Sequence, residues 1–570
     1  MRFISCLRNS VRVATKCGPI DGFQLHQPAG KSDIFLGIPY AKPPVGEDRF
    51  EKAKPYGAWH VPLKATKYSL CCVPHHDRDN MAPTCEDCLS INIFRPSEKS
   101  PDPGGYPVAF WVHPSCYNVG SSQWLKYENV AENFVTKGVI AVTFNYRLGV
   151  LGLASTGDEV LPGNLALFDT ALALKWVYEN VEAFGGDPER ITACGLSAGS
   201  SMVGQLVLSP HSKDYIKQSI QLSGSYYALW STNDRVVQET KKLAKLLGAD
   251  ENDSKSIKSV LKSTCTKELN DAMEFLGTAS DTTNIAKFSP RLDGDFLPKD
   301  YHELLKERTP IPTFYGYSAH ESMFFAVLGF LKSCNGLTLL PEEYEKFGEA
   351  EIIEKIKKNL IPESEFGGIA KKIQDRVISF YVRRRVPENP DPLFYIARYV
   401  EIMSHLQFFI PTAFEIMEKH EHNWPIYISR NEYFADHHFK EGTKLKGAVH
   451  ASELHTFFGF PNPRAFHMNK DDLAHRDFYA NSLCNFIKHG DPSHSLFKWP
   501  VTTHEKPWHH VALQVNPTIK EQFSDDDHDA VKFWIGLWRE FGEKAIRSVH
   551  FAERHGRREP LGSRHGENIK

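Results

Sequence analysis

The sequence predicts an α/β fold in which a largely parallel central sheet is covered by helices on both faces. Apolar runs without polar alternation are typical of strands buried on both faces, such as VAFWVH (108–113), GVIAVTFNY (138–146) and RITACG (190–195). A helical pattern over 166–184 separates the second run from the third. Such alternation of strand and helix indicates parallel crossovers.

The rest of the chain continues this pattern with helical insertions. Residues 232–390 are richer in charged helix, whereas TPIPTFYGY (309–317) and WPIYISR (424–430) return to strand-like composition. The acidic run SDDDHD (524–529) is expected to cap the helix that follows it and to complement its dipole. The predicted boundaries are an N-terminal extension over 1–12, one α/β domain over 13–545 and a flexible tail over 546–570.

The composition excludes several classes of function. A net charge of -3, from 67 basic and 70 acidic residues, provides no basic surface for nucleic acid. The longest apolar run, 323–331, is far shorter than the roughly 20 residues of a membrane span. The N-terminus lacks the continuous apolar core of a signal peptide, so we expect a cytoplasmic protein.

The 11 cysteines include one cluster that allows two interpretations. Cys71, Cys72, Cys85 and Cys88 could in principle bind zinc, although adjacent cysteines make awkward tetrahedral ligands. In a cytoplasmic protein most thiols are expected to be reduced. We predict no metal site and no cofactor.

The strongest local signal is Gly195-Leu196-Ser197-Ala198-Gly199, a G-x-S-x-G motif between a strand and a helix. This spacing places a serine on a strained strand-to-helix turn, where its hydroxyl is exposed and bulky residues two positions away would clash. The following helix N-terminus favours negative charge. The motif therefore predicts a nucleophile at Ser197.

A nucleophilic serine needs a histidine base and a carboxylate that orients the base. Downstream of Ser197, Glu321 follows a predicted strand and His450 lies on a loop that enters a helix. The spacing alone does not choose among the candidates. The competing residues are His437, His438 and His455 for the base and Asp293 for the acid.

Motifs along almost the whole chain resemble the cholinesterase-like type-B carboxylesterase family. These motifs occur in the family's order: FLGIPYAKPPVGEDRF (35–50), CEDCLSINIF (85–94), FNYRLGVLGL (144–153), GLSAGSSM (195–202), LDGDFLP (292–298), GYSAHES (316–322) and GAVHASELHTFFG (447–459). The resemblance implies the α/β-hydrolase fold and hydrolysis of a small-molecule ester without a cofactor. It also implies a monomer or a homodimer.

The resemblance assigns roles residue by residue. Ser197 falls on the nucleophile, Glu321 on the triad acid and His450 on the base. The remaining implied roles are oxyanion-hole donors at Ser115, Cys116 and Ala198, a substrate pocket near Trp230 and Leu196, a residue behind the acid at Ser223, and a disulfide between Cys72 and Cys88.

Three positions depart from the family pattern. The loop expected to read H-G-G-G reads His113-Pro114-Ser115-Cys116, Leu196 replaces an acid, and Ser322 replaces a glycine. Backbone N–H groups remain at Ser115 and Cys116, but these residues adopt left-handed conformations less readily than glycine. We therefore expect a slow or narrow esterase for uncharged esters. The alternative is a non-catalytic scaffold that binds a ligand or a protein.

Overall fold

A computed structural model describes residues 9–74, 83–277, 279–329, 336–460, 464–495 and 497–542. The predicted tail over 546–570 and most of the predicted N-terminal extension lie outside the described residues. The first strand begins at Ser10, inside that extension, and pairs with the second strand.

Thirteen strands within these residues form one sheet. The strands are β1 (Ser10–Thr15), β2 (Gly18–Gln27), β3 (Gly30–Pro39), β4 (Leu63–Lys64), β5 (Ser90–Pro96), β6 (Tyr106–Val112), β7 (Ile140–Phe144), β8 (Gly186–Leu196), β9 (Gln218–Leu222), β10 (Thr313–Ser318), β11 (Ile426–Asn431), β12 (His510–Leu513) and β13 (Thr518–Lys520). Their order is β1-β2-β3-β5-β7-β6-β8-β9-β10-β11-β12-β13, and β4 pairs with β2. The run from β7 to β12 is parallel.

Helices cover both faces of this sheet. Their bounds are α1 (Tyr127–Asn133), α2 (Gly149–Leu153), α3 (Leu165–Asn180), α4 (Ala198–Leu208), α5 (Arg235–Leu246), α6 (Ser254–Ser263), α7 (Thr266–Leu276), α8 (Tyr301–Lys306), α9 (Met323–Ala326), α10 (Glu349–Lys355), α11 (Glu363–Phe366), α12 (Ala370–Val377), α13 (Pro392–Ser404), α14 (Ile410–Glu421), α15 (Glu453–Phe458), α16 (Lys470–His489) and α17 (Asp525–Phe541). None of the helices in the described part of the chain is long and apolar enough to cross a membrane.

The predicted apolar strands are buried on both faces because alternate side chains enter two separate cores. In β6, Val108, Phe110 and Val112 join the core beneath α3 and α4, whereas Ala109 and Trp111 join the core beneath α1, α15 and α16. Successive side chains of a strand point to opposite faces, so a strand between two helical layers is apolar throughout. The predicted α/β fold, a largely parallel sheet with helices on both faces, is confirmed.

The parallel strands direct their carboxyl ends to the same edge of the sheet, and this edge positions the candidate residues. Ser197 directly follows β8, and Ser223 directly follows β9. Glu321 lies three residues after the end of β10. In open α/β sheets ligands bind at this edge, so the topology alone brings these residues together.

The acidic run before α17 does more than the predicted capping. Ser524 caps α17 by accepting the N–H of Asp527. Asp527 is itself buried and contacts His405 at 3.1 Å and Arg430 at 3.3 Å. Although burial alone would raise the pKa of Asp527, these two partners outweigh it and lower the pKa to about 2. The run therefore fastens the last helix to the sheet and to the helical insertion.

The cysteine cluster holds a disulfide rather than a zinc-type ligand set. The Sγ atoms of Cys72 and Cys88 are 1.97 Å apart. Cys71 and Cys85 are free, and the N–H of Cys85 donates to the carbonyl of Cys71 at 2.9 Å. The bond joins the two ends of a loop whose residues 75–82, including the His75-His76 pair, lie outside the described residues.

Candidate active site

Ser197 lies at the turn between β8 and α4 in a strained backbone conformation, with φ 57° and ψ -126°. Its N–H donates to the carbonyl of Leu222 at 2.8 Å, which ties the turn to the end of β9. A Cβ at Gly195 would lie 2.2 Å from the carbonyl oxygen of Gly199, and a Cβ at Gly199 would lie 2.3 Å from that of Val112. The spacing of the G-x-S-x-G motif follows from these two contacts.

A continuous row of hydrogen bonds starts at the Ser197 hydroxyl. Ser197 Oγ lies 2.9 Å from His450 Nε2, and His450 Nδ1 lies 2.6 Å from Glu321 Oε2. Since an ionised carboxylate only accepts, Nδ1 donates to Glu321 and the neutral ring accepts the serine proton at Nε2. The three side chains are buried, so water weakens this row little.

Two further donors hold the second oxygen of the Glu321 carboxylate. Ser223 Oγ and the N–H of Ser318 both donate to Glu321 Oε1 at 2.6 Å. The carboxylate is therefore oriented from two strand ends, and Oε2 is left for His450. Ser223 lies behind the acid, at the place that the family resemblance implies.

The competing candidates lie in other hydrogen-bonded groups. His437 and His438 both contact Asp472, and His455 Nε2 contacts the carbonyl of Phe466. Asp293 accepts the N–H groups of Asp295 and Leu297 within its own turn. Only His450 and Glu321, among the candidates that the sequence left open, join Ser197 in the described structure.

His437, His438 and Asp472 also form a group whose ligand atoms are close enough for a metal ion. His438 Nδ1 accepts the N–H of Ala435 at 3.3 Å, which leaves the ring proton on Nε2, where it faces Asp472. Tyr433 and the N–H of Asn469 also donate to the Asp472 carboxylate. Hydrogen bonds therefore account for this group, because a metal would need the lone pair of Nε2.

The altered loop that follows β6 adopts the left-handed conformation that glycine favours. The φ values are 114° at Ser115, 52° at Cys116 and 63° at Tyr117. Ser115 Oγ donates within the loop to the carbonyl of Val119, and the N–H of Asn118 donates to the carbonyl of Ser115 at 3.1 Å. Gly149 donates to the carbonyl of Tyr117 at 2.8 Å. These bonds hold three consecutive non-glycine residues in a costly conformation.

At the three positions implied for an oxyanion hole, the backbone N–H groups have no acceptor among the described residues. These positions are Ser115, Cys116 and Ala198. Ala198 begins α4, whose first N–H groups have no partner within the helix. Burial raises the pKa of the Cys116 thiol to about 12, so this thiol stays protonated beside Ser197.

An apolar pocket opens beside Ser197 and His450. It encloses about 450 Å³, its open mouth included, and four aromatic rings contribute to its wall. These rings belong to Trp124, Phe324, Phe325 and Phe460. No Asp, Glu, Lys or Arg of the described chain lines the pocket. The site therefore suits an uncharged, apolar group.

Two of the implied pocket residues lie behind the wall rather than in it. Leu196 is 2% exposed and packs in the core beneath α15. Trp230 is 1% exposed, donates to the carbonyl of Gln407 at 2.8 Å and packs 5.8 Å from Phe408. Phe408 in turn packs 4.5 Å from the His450 ring. Neither Leu196 nor Trp230 is among the described residues that line the pocket.

Ser322, which replaces a glycine directly after Glu321, forms hydrogen bonds through both its backbone and its side chain. The N–H of Ser322 donates to Ser404 Oγ at 2.9 Å, and Ser322 Oγ donates to Gln407 at 2.8 Å. Its φ of -82° is open to any residue. The substitution therefore adds two anchors to the Glu321 turn without strain.

Comparisons with known proteins agree with this fold. The model of the carboxylesterase family matches residues 9–534. The chain belongs to the carboxylesterase family. It is therefore a carboxylic ester hydrolase with the α/β-hydrolase fold.

Several characterised relatives share most of this carboxylesterase's length. Gut esterase 1 of Caenorhabditis briggsae is 34% identical over 495 residues, which cover 85% of this chain and 86% of the relative. Bile salt-activated lipase of Mus musculus is 29% identical, with 88% and 82% of the two chains covered. Cholinesterase of Mus musculus is 28% identical, with 86% and 81% covered.

The sequence interpretation missed one carboxyl group of this carboxylesterase. Glu453, three residues after His450, is 2% exposed, and its Oε2 has no hydrogen-bond partner among the described residues. Burial and the nearby Glu321 charge raise the pKa of Glu453 to about 8. The sequence signal that could have drawn attention to it is its position three residues after the candidate base. At pH 7 the Glu453 carboxyl is therefore largely neutral.

Replacing Glu453 by glutamine should change how stability depends on pH. The unfolded chain ionises Glu453 near its ordinary pKa, whereas the folded chain keeps it protonated up to about pH 8. The free energy of unfolding of the native protein should therefore fall, relative to Glu453→Gln, as the pH rises from about 4.5 to 8, by on the order of a few kcal/mol. Urea unfolding at a series of pH values measures this difference.

The matched control is Glu441→Gln, which removes an exposed carboxylate. It should keep the stability profile of the native protein. Parallel profiles for Glu453→Gln and the native protein would contradict the raised pKa.

Proposed function

We propose that this carboxylesterase hydrolyses uncharged esters through an acyl-enzyme on Ser197. The observation that carries the proposal is the unbroken row of hydrogen bonds from Ser197 through His450 to Glu321, at 2.9 and 2.6 Å. The row ends on a carboxylate that Ser223 and Ser318 hold in place. This is the arrangement of nucleophile, base and orienting acid that acyl transfer requires.

In the first step, Ser197 Oγ attacks the ester carbonyl carbon and its proton passes to His450 Nε2. Glu321 stabilises the imidazolium that forms and keeps the ring in place. As the tetrahedral intermediate collapses, the carbon–oxygen bond to the alcohol breaks, and His450 returns the proton to the leaving alcohol. The acyl group stays on Ser197.

In the second step, water replaces the alcohol. His450 takes a proton from the water as its oxygen attacks the acyl carbon, and then gives the proton to Ser197 Oγ as the acid departs. In both steps the carbonyl oxygen becomes negatively charged. The N–H groups of Ser115, Cys116 and Ala198 are proposed to stabilise this charge, because they donate to no other described group.

The altered loop is proposed to lower the rate rather than to abolish it. The side chains of Ser115 and Cys116 occupy space beside Ser197 that glycines would leave open. The cost of their left-handed backbone is met in folding, since the loop is already bound in that conformation. The same loop favours the second candidate, a non-catalytic binding scaffold, which the Ser197 experiment separates.

The substrate is proposed to be a small ester without charge. The pocket wall is aromatic and aliphatic, and Leu196 provides no negative charge next to the nucleophile. Burying a cation there without an acidic partner is costly, and cation–π attraction to the aromatic rings offsets only part of that cost. Cytoplasmic placement, a monomeric or homodimeric state and independence of nucleic acid stay predictions.

Replacing Ser197 by alanine should abolish both covalent labelling and hydrolysis. A fluorophosphonate probe should label the native protein, and hydrolysis of p-nitrophenyl acetate should fall by at least about a thousandfold in Ser197→Ala, because the attacking oxygen is gone. Ser201→Ala, one turn further along α4, is the matched control and should keep both signals. Labelling and turnover that do not depend on Ser197 would leave the scaffold as the better description.

A charged substrate should be disfavoured against its neutral isostere. We expect kcat/KM for 3,3-dimethylbutyl acetate to exceed that for acetylcholine by at least roughly tenfold, because the ammonium group must lose its hydration without an acidic partner, a cost that cation–π attraction to the aromatic wall offsets only in part. A pH-stat assay of both esters on the same preparation measures the ratio. Preference for acetylcholine would refute the uncharged substrate class.

Removing the Ser115 hydroxyl should reduce stabilisation of the transition state more than binding of the substrate. Ser115→Ala keeps the strained backbone but loses the bond to Val119, so we expect kcat to fall by roughly 10- to 100-fold with little change in KM. Affinity for a trifluoromethyl ketone, which forms an oxyanion on Ser197, should fall in parallel. Ser115→Gly should recover part of both losses, since glycine adopts this conformation without strain. Unchanged kcat in Ser115→Ala would rule out the role of this bond.

A further inference from the structure

Two aromatic residues from distant parts of the chain close one side of the pocket. The rings of Trp124 and Phe460 are stacked, with centroids 4.4 Å apart and an interplanar angle of 23°. Both rings line the pocket together with Ser197 and His450. An apolar group bound at the nucleophile therefore faces this pair.

Each ring is held by the backbone next to it. Trp124 ends a short 3₁₀ turn that Ser121 caps, and its N–H donates to the carbonyl of Ser121 at 3.2 Å. The N–H of Phe460 donates to the carbonyl of Leu454 at 3.0 Å, at the end of α15. Trp124 and Phe460 are only 8% and 6% exposed. The pair therefore forms a wall that moves little.

The segments that carry the two rings are continuous with the altered loop and with the turn that holds His450. Trp124 follows the loop that holds Ser115 and Cys116, and Phe460 follows the turn and helix that hold His450. The N–H of Lys126 donates to the carbonyl of Phe458 at 3.4 Å and links the two segments directly. The distance from Ser197 to the wall is thus set by the same elements that position the catalytic groups.

We propose that the stacked pair of Trp124 and Phe460 determines the length of the apolar chain that the site accepts. The inference rests on the proposed function, because it takes Ser197 as the reacting end of the pocket. The substrate class is uncharged esters whose apolar part is a short alkyl chain or a single aromatic ring. Longer chains are excluded by the wall and not by their lack of polarity.

Kinetics with esters of graded length test the proposal. One series varies the acyl group, from p-nitrophenyl acetate to p-nitrophenyl decanoate, and the other varies the alcohol, from ethyl to octyl acetate. The test quantity is the ratio of kcat/KM for the longest ester to kcat/KM for the shortest ester. In one series this ratio should be at least roughly tenfold higher in Trp124→Ala than in the native protein, because each methylene that fits an apolar pocket raises kcat/KM by about tenfold. The series that responds identifies the half of the ester that faces the pair.

Two variants serve as controls. Trp124→Phe keeps a flat ring at the wall and should keep most of the native length preference. Phe533→Ala removes one ring of another stacked pair, Phe380 and Phe533 with centroids 4.3 Å apart, on the last helix. Phe533→Ala should leave the profiles of both series unchanged. A profile in Trp124→Ala that matches the native one in both series would overturn the proposal.

A binding experiment separates failure of this inference from failure of the proposed function. Calorimetric titration with n-alcohols from butanol to decanol needs no turnover and can use Ser197→Ala as background. In Ser197→Ala, affinity should rise with alcohol length only up to a limiting chain length. In Ser197→Ala/Trp124→Ala, this limiting length should be greater. If affinity stops rising at the same alcohol length in both proteins, the proposed role of the wall is wrong. A longer limiting alcohol in Ser197→Ala/Trp124→Ala would support that role even if the native protein hydrolyses no ester.

Discussion

The left-handed turn at Ser197 is the constraint around which the rest of the site is built. Its N–H is bound to the end of β9, and its neighbours Gly195 and Gly199 lie too close to other backbone groups to carry a side chain. The turn therefore presents Ser197 at the edge where parallel strands end. Ser223 and Glu321 reach the same edge because β9 pairs in parallel with β8 and β10 pairs in parallel with β9.

The features that local backbone geometry dictates were the ones that could be predicted from the sequence. Strands buried on both faces are apolar throughout, and a strained turn before a helix restricts the residues around its serine. Among the histidines and carboxylates, however, spacing left several choices open. Ser197, Glu321 and His450 were assigned by family resemblance, and the structure adds the distances that join them.

Side chains that meet only in three dimensions could not be predicted in this way. Trp124 and Phe460 have no local signal that pairs them, and Glu453 reads as one more acidic residue on a helix. Trp230 and Leu196 were expected at the pocket, yet each lies one layer behind it, because a strand or loop residue faces whichever core its own backbone dictates. The acidic run before α17 was understood as a cap, although Asp527 is an anchor to Arg430 and His405.

The altered loop and the neutral carboxyl group act on the same charge separation. During attack the site must stabilise a negative oxygen and a positive imidazole at once. In the proposed mechanism, the first depends on the N–H groups of Ser115 and Cys116, whose loop is held by bonds such as that of Ser115 to Val119 and that of Gly149 to Tyr117. In the same mechanism, the second depends on Glu321, because the raised pKa of Glu453 favours its neutral form and Leu196 supplies no charge. Activity in the proposed mechanism would therefore rest on a more strained loop than the glycine loop of the family pattern, and on no acidic neighbour of the nucleophile.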